Sequence, residues 1–221
     1  VPLPEYSEIK PPYWNDKPLL IVGSGSSLKG FDFNRLRGLG YILAVKESVW
    51  DLPFADACFS LHLPWTKRRE QELKTLAVPL YLAVPKGMSE KQYGPIIPGA
   101  IYIDRGNEKH LSDNPALIHA GGNSGFGALN LAYLKRAKSI YLFGFDFNRS
   151  GGHYCPDRYE EPDSHNARYW ENWGDNFINT KQQLANAGIS VTNASPNSSV
   201  KAFPKVTIEA ALERLHWFRA A

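Results

Sequence analysis

The stretch LLIVGSGSSL, residues 19–28, decides how the chain is read. Leu19 to Val22 are four apolar residues without polar alternation, so both faces are expected to be buried, as in a central strand of a parallel sheet. Gly23, Ser24, Gly25, Ser26 and Ser27 follow at once. Small residues let backbone N–H groups approach an anion, and a helical turn starting at Ser26 or Ser27 would add its positive end. The stretch is neither GxGxxG nor a Walker A loop, because Leu28 and Lys29 precede Gly30 and no Gly-Lys-Ser/Thr follows. Alone, it suits a phosphate loop or a tight structural corner.

Outward from this stretch the pattern recurs. Apolar runs at 41–45, 57–61, 80–84, 101–103, 139–143 and 189–192 are expected strands. Helical spacing predicts helices over 65–76, 124–135, 166–187 and 207–218, with Asn123 or Ser124 capping the second and Gly188 ending the third. The alternation predicts the α/β class: a Rossmann-like, mostly parallel sheet with helices on both faces and a ligand beyond the carboxyl ends of its strands. Residues 1–18, with five prolines, are expected to form an extended arm. Residues 19–221 are read as one nucleotide-binding domain, and the polar loop at about 149–169 as its lid.

The bulk composition narrows the function classes. The 221 residues suffice for one sizeable core, and a net charge of +3 is far from the basic stripe of a dedicated duplex binder. The run Lys67-Arg68-Arg69 is read as a solvated helix face. Cys58 lies in an apolar run and is expected to be buried. Cys155 has no CxxC or Cys/His partner at metal spacing, so neither a disulfide framework nor a metal site is expected. This cysteine usage fits a reducing, cytoplasmic location. No apolar run approaches the roughly 18 residues of a membrane span.

The residues just after each expected strand are the candidates for chemistry. Lys46 and Glu47 follow the second strand, and His62 the third. Gly121-Gly122-Asn123-Ser124-Gly125 is a second glycine-serine loop, opening the 124–135 helix. Asp146 follows the sixth expected strand and suits a sugar hydroxyl or a base amino group, or a cap of its own loop. The lid holds His153, Tyr154, Asp157, Tyr159, Asp163, His165 and Tyr169, residue types fit for phosphate bonding and proton transfer. Ser195, Pro196, Asn197, Ser198 and Ser199 form a third small polar loop.

In this order the motifs resemble a family. Gly23-Ser24-Gly25-Ser26-Ser27-Leu28 is similar to the GxGPSL loop of bacterial sialyltransferases that use CMP-sialic acid, and of the related DUF115 and pterin diphosphokinase proteins. Asn123-Ser124-Gly125 with Ile140 to Phe147 resembles their SSG…IYLxGxDF stretch, and Ser195-Pro196-Asn197-Ser198 with Ala202-Phe203 their CPNS…NF segment. Small phage-type proteins of unknown function share the pattern. The resemblance implies a variant glycosyltransferase-A-like fold with a nucleotide site at Gly23, Ser24, Gly25, Ser26, Ser27, Lys46, Asn123, Ser124, Gly125, Asp146, Ser195, Pro196, Asn197 and Ser198.

It implies a metal-independent, inverting transfer from a nucleotide sugar, CMP-linked in that family, with no cofactor required. A lid histidine would be the general base, His165 first and His153 second, and Tyr154 and Tyr169 would meet the leaving phosphate. The acceptor would be a hydroxyl of a glycan, a lipid or a modified nucleic acid. Ser24, Ser26 and Lys46 depart from the family's asparagine, proline and asparagine, and a lysine suits a phosphate or carboxylate. Two alternatives stand beside this reading: a non-catalytic nucleotide-binding accessory or regulatory phage protein, and a Mg²⁺-dependent diphosphokinase-like enzyme.

Overall fold

The computed structural model describes residues 4–88, 92, 96–148, 151–159 and 167–220, and of residues 167–169 and 220 the backbone only. Its centre is an eight-stranded, all-parallel sheet. The strands are β1 (Leu19–Val22), β2 (Tyr41–Val45), β3 (Ala57–Ser60), β4 (Leu80–Ala83), β5 (Ile101–Gly106), β6 (Leu117–His119), β7 (Ser139–Phe143) and β8 (Ser190–Asn193). Their order is β6-β5-β4-β3-β2-β1-β7-β8. The chain builds outward from β1 to β6, then returns to β1's other side, so Leu19 pairs with both Tyr41 and Ile140.

All four residues of β1 are fully buried, as two covered faces require. Leu19 and Ile21 enter one core layer, under helix α3 (Ser124–Leu134) with Phe126 and Leu129. Leu20 and Val22 enter the other, with Trp65 from α1 (Leu63–Arg68) and Ala211, Leu212 and Leu215 from α6 (Ile208–Ala220). This alternation is the period-2 geometry of a strand. It confirms the expected α/β, Rossmann-like architecture.

The expected strands are all present, with ends shifted by a residue or more at several, while β6 had no signal in a segment of three residues. Two expected helices are broken. The 65–76 helix begins early, at Leu63–Arg68, and resumes as α2 (Glu70–Lys74). Arg69 between them adopts φ −98° and ψ 17° and sends its guanidinium to Glu47. The 166–187 helix divides into α4 (Ala167–Asn176), a 3₁₀ turn (Phe177–Thr180) and α5 (Lys181–Asn186). The tighter turn seats Phe177 against Phe126, Phe145 and Phe147, at ring centroid distances of 5.4, 6.2 and 5.5 Å.

The segment before β1 runs across the sheet's amino side. The Ser7 and Ile9 amides donate to the carbonyls of Tyr102 and Pro115, and the Trp14 amide to that of Lys135, each at 2.7 Å. Lys135 caps the end of α3, and its buried ammonium returns bonds to the Lys10 and Pro12 carbonyls. Burial lowers its pKa.

Candidate functional site

The strand order reverses between β1 and β7, and loops that part at such a point leave a crevice beyond the strands' carboxyl ends. A cleft of about 700 Å³ lies there. Its floor is the loop after β1. The Gly23 amide donates to the Phe143 carbonyl at 2.8 Å and the Gly25 amide to that of Gly144 at 2.9 Å, so the loops after β1 and β7 lie backbone to backbone. Only glycine fits this approach: a Cβ on Gly25 would stand 2.0 Å from Asp146 Oδ2 and 2.6 Å from the Gly144 carbonyl oxygen. Asp146 is buried and accepts the Ser27 amide at 2.8 Å, holding the 3₁₀ turn Ser26–Leu28 in place.

The second glycine-serine loop forms the facing wall. Asn123 caps α3, its Oδ1 accepting the Phe126 amide at 2.8 Å. That bond fixes the amide's orientation, and its Nδ2 is buried with no hydrogen-bond partner among the described residues. A buried donor left unpaired costs roughly 1–3 kcal/mol, which a ligand acceptor in the cleft would relieve. Gly122, Ser124 and Gly125 line the cleft beside it, and Asn176 of α4 binds the Gly121 carbonyl at 2.8 Å.

Lys46 enters from the loop after β2 in the left-handed conformation, φ 54°. Ser48 holds that turn: its hydroxyl accepts the Val45 amide at 2.9 Å and donates to the Val22 carbonyl at 2.7 Å. Phe147, at φ 49°, is a second non-glycine residue held this way at the cleft. Such strained positions concentrate where function fixes a side chain.

Residues 151–159, the described part of the expected lid, lie against the β1 loop. Tyr159 donates its hydroxyl to Ser24 Oγ at 2.7 Å, and His153 Nδ1 lies 3.0 Å from the same oxygen. The two rings stack at 3.7 Å, nearly parallel. Burial pushes the Tyr159 hydroxyl pKa up. The lid is latched behind the cleft by Arg158, whose two terminal nitrogens meet Asp51 at 2.6 and 2.9 Å, and by the Tyr154 hydroxyl, 2.5 Å from the same carboxylate. Burial raises the pKa of Asp51, but the bonds from Arg158 and Tyr154 outweigh it and hold the carboxyl below its ordinary value of 3.8.

The predicted site residues thus divide. Gly23, Ser24, Gly25, Lys46, Asn123, Ser124, Gly125, Asp146 and His153 line one cleft. Ser26, Ser27, Ser195, Pro196, Asn197 and Ser198 do not. Ser195 is fully buried behind the floor, accepting the Phe145 amide at 3.2 Å and lying 3.2 Å from Ser27 Oγ, while Ser198 donates to the Phe145 carbonyl at 2.5 Å. Tyr154 serves the latch. His165 and the side chain of Tyr169 lie outside the described residues.

Sequence reasoning did not place Arg68, Phe145, Phe147, Trp170 and Trp173 at the cleft, while Tyr159, expected only as one of the lid's tyrosines, lines it. The aromatic pair flanking Asp146 and the i, i+3 spacing of Trp170 and Trp173 were the available signals. The basic run is not one solvated face: Lys67 is exposed, Arg68 lines the cleft and Arg69 bonds Glu47. Among the described residues no three His, Cys, Asp or Glu side chains gather at metal-binding spacing, and no helix is long and apolar enough to cross a membrane.

In fold the chain is similar to solved glycosyltransferases. The MAf glycosyltransferase from Magnetospirillum magneticum AMB-1 is similar over 97% of this chain, at a TM-score of 0.57 and 14% identity, and this chain spans 39% of its length. The sialyltransferase CstII from Campylobacter jejuni, solved in complex with a substrate analogue, cytidine-5′-monophosphate, is similar over 87% of this chain and 86% of its own, at a TM-score of 0.52 and 14% identity. No protein-family model matches the sequence, and no curated protein does.

Proposed function

We propose that the chain is a glycosyltransferase that moves a sugar from a nucleotide sugar, CMP-linked as the leading candidate, to a hydroxyl acceptor. One observation carries the reading: two glycine-serine loops, residues 23–25 and 123–125, face each other across one cleft at the β1/β7 switch point. The Ser24 amide, whose neighbours at Gly23 and Gly25 are bonded to the Phe143 and Gly144 carbonyls, and the ammonium of Lys46 hold the phosphate, and Asn123 Nδ2 donates to a ligand oxygen. The acceptor oxygen bonds the anomeric carbon as the sugar–phosphate C–O bond breaks, and the phosphate leaves with that electron pair. A lid histidine takes the acceptor proton. His153 is held against Ser24 at the cleft, and His165 is the other candidate. The transfer inverts configuration and uses no metal in this reading.

A thermal-shift screen of nucleotides and nucleotide sugars tests it. A ligand at 100 times its dissociation constant stabilises the fold by about 2.7 kcal/mol, a shift of several degrees for a chain of this size. Stabilisation by cytidine compounds is expected. Binding without turnover on any donor would assign the non-catalytic alternative, and no shift with any nucleotide would overturn the reading.

A further inference from the structure

Trp217 and Phe218, exposed at 78% and 57%, are the most exposed large apolar side chains among the described residues, and they are neighbours near the end of α6. Single exposed apolar residues are ordinary, whereas a cluster marks a contact surface. α6 starts just after the Val206 amide meets the Asn193 carbonyl at the end of β8, and its Arg219 lies beside Gly38, ahead of β2. The helix therefore runs antiparallel to the strands. Its last turns lie at the sheet's amino edge, away from the switch-point cleft.

The outer face of α6 is self-complementary. Ala211, Leu212 and Leu215 point into the core, which turns Ala210, Glu213, Arg214 and Trp217 outward. Ala210 is a small residue two turns before Trp217, about 10.5 Å along the axis. Glu213 and Arg214 lie midway, both exposed, and neither makes a hydrogen bond or ion pair among the described residues. A two-fold axis between residues 213 and 214 would seat Trp217 on Ala210 of a second copy. The same axis would set Glu213 opposite the second copy's Arg214, twice over.

We propose that α6 pairs antiparallel with α6 of a second copy of this chain about that axis. Helices that lie on anionic lipid carry lysines and arginines on their polar face. Here Glu209 and Glu213 share the outer face with Arg214, so the mixed charges favour the second copy. The pairing leaves both clefts open and does not rest on the nucleotide reading.

Sedimentation velocity on the full chain tests it. One helix pair offers less than the roughly 800 Å² per partner of a standard interface, so dimers are expected at about 100 µM and monomers at about 1 µM. Trp217→Ser should weaken association by about tenfold or more. Glu213→Arg and Arg214→Glu should each be monomeric at about 100 µM, because like charges then meet across the axis. An equimolar mixture of these two variants restores both opposite-charge pairs and should form a heterodimer. All three positions are exposed, so the melting curves of the dilute variants should coincide with that of wild type and exclude misfolding. Dimers that persist in the variants, or charge variants that stay monomeric when mixed, would overturn the pairing. A wild type monomeric at about 100 µM would overturn it too. Trp217-dependent flotation of that monomer with phosphatidylglycerol vesicles would then assign the face to a membrane.

Discussion

The loops at residues 23–28 and 195–199 share a composition of small polar residues and the same edge of the sheet, yet they have opposite uses. Gly23, Ser24 and Gly25 present themselves to the cleft. Ser195 and Ser198 are buried one layer behind, their hydroxyls bonded to the Phe145 backbone. Serines suit both situations, because a hydroxyl can satisfy a buried amide as readily as a phosphate. Position relative to the strand-order reversal separates them, and composition does not.

Substitutions at the two loops should therefore fail differently. The largest effect is expected from Gly25→Ala, whose Cβ would meet Asp146 Oδ2 at 2.0 Å and the Gly144 carbonyl at 2.6 Å, with backbone on one side unable to yield. Overpacking of this kind costs about 3 kcal/mol, read from urea unfolding. Ser195→Ala leaves the buried Phe145 amide without its acceptor, a loss of about 2 kcal/mol, while nucleotide affinity of the folded protein stays within twofold. Equal loss of affinity and stability in Ser195→Ala would erase the distinction between the loops.

The lid supplies a third, pH-dependent contrast. Asp51 has a folded pKa below its unfolded one, so its contribution is complete above the ordinary carboxylate range and is lost as pH falls through the folded value. Asp51→Asn should cost about 1.5 kcal/mol at pH 7 by urea unfolding, and the gap from wild type should shrink at pH 3. A gap that does not change with pH would detach the latch from this carboxylate. The smallest stability effect, about 0.5–1 kcal/mol, is expected for Ser24→Ala, which removes the oxygen shared by Tyr159 and His153. Its signature is faster amide hydrogen exchange across 153–159, which Ser195→Ala should not produce.

These contrasts show what the sequence could carry. Leu19–Val22, Tyr41–Val45 and Ser139–Phe143 were legible to the residue, because a strand buried on both faces must be continuously apolar. Residues 23–25 and Asp146 followed from reading the strands' carboxyl ends, and 123–125 from its glycine-serine composition at the start of a helix, β6 before it having no signal. The burial of Ser195 and Ser198 was illegible, since nothing in Ser-Pro-Asn-Ser-Ser tells whether a neighbouring loop lies in front of them. Arg68 was hidden by its neighbours, a basic triplet looking like one solvated face until the kink at Arg69 turns its members apart. The aromatic wall of Phe147, Trp170 and Trp173 depends on contacts between β7's loop and α4 that local spacing does not encode.

The most direct test sets against each other two depressions of similar size among the described residues. One of about 700 Å³ lies at the β1/β7 switch point, and one of about 720 Å³ lies at the opposite edge of the sheet, between residues 8–15 and the end of α3. A crystal structure with CMP or CDP should show the nucleotide between residues 23–25 and 123–125, its phosphate at the Ser24 amide and Lys46, and Asn123 Nδ2 bonded to the ligand. Nucleotide density beneath the amino-terminal arm, with the switch-point cleft holding only solvent, would contradict the account.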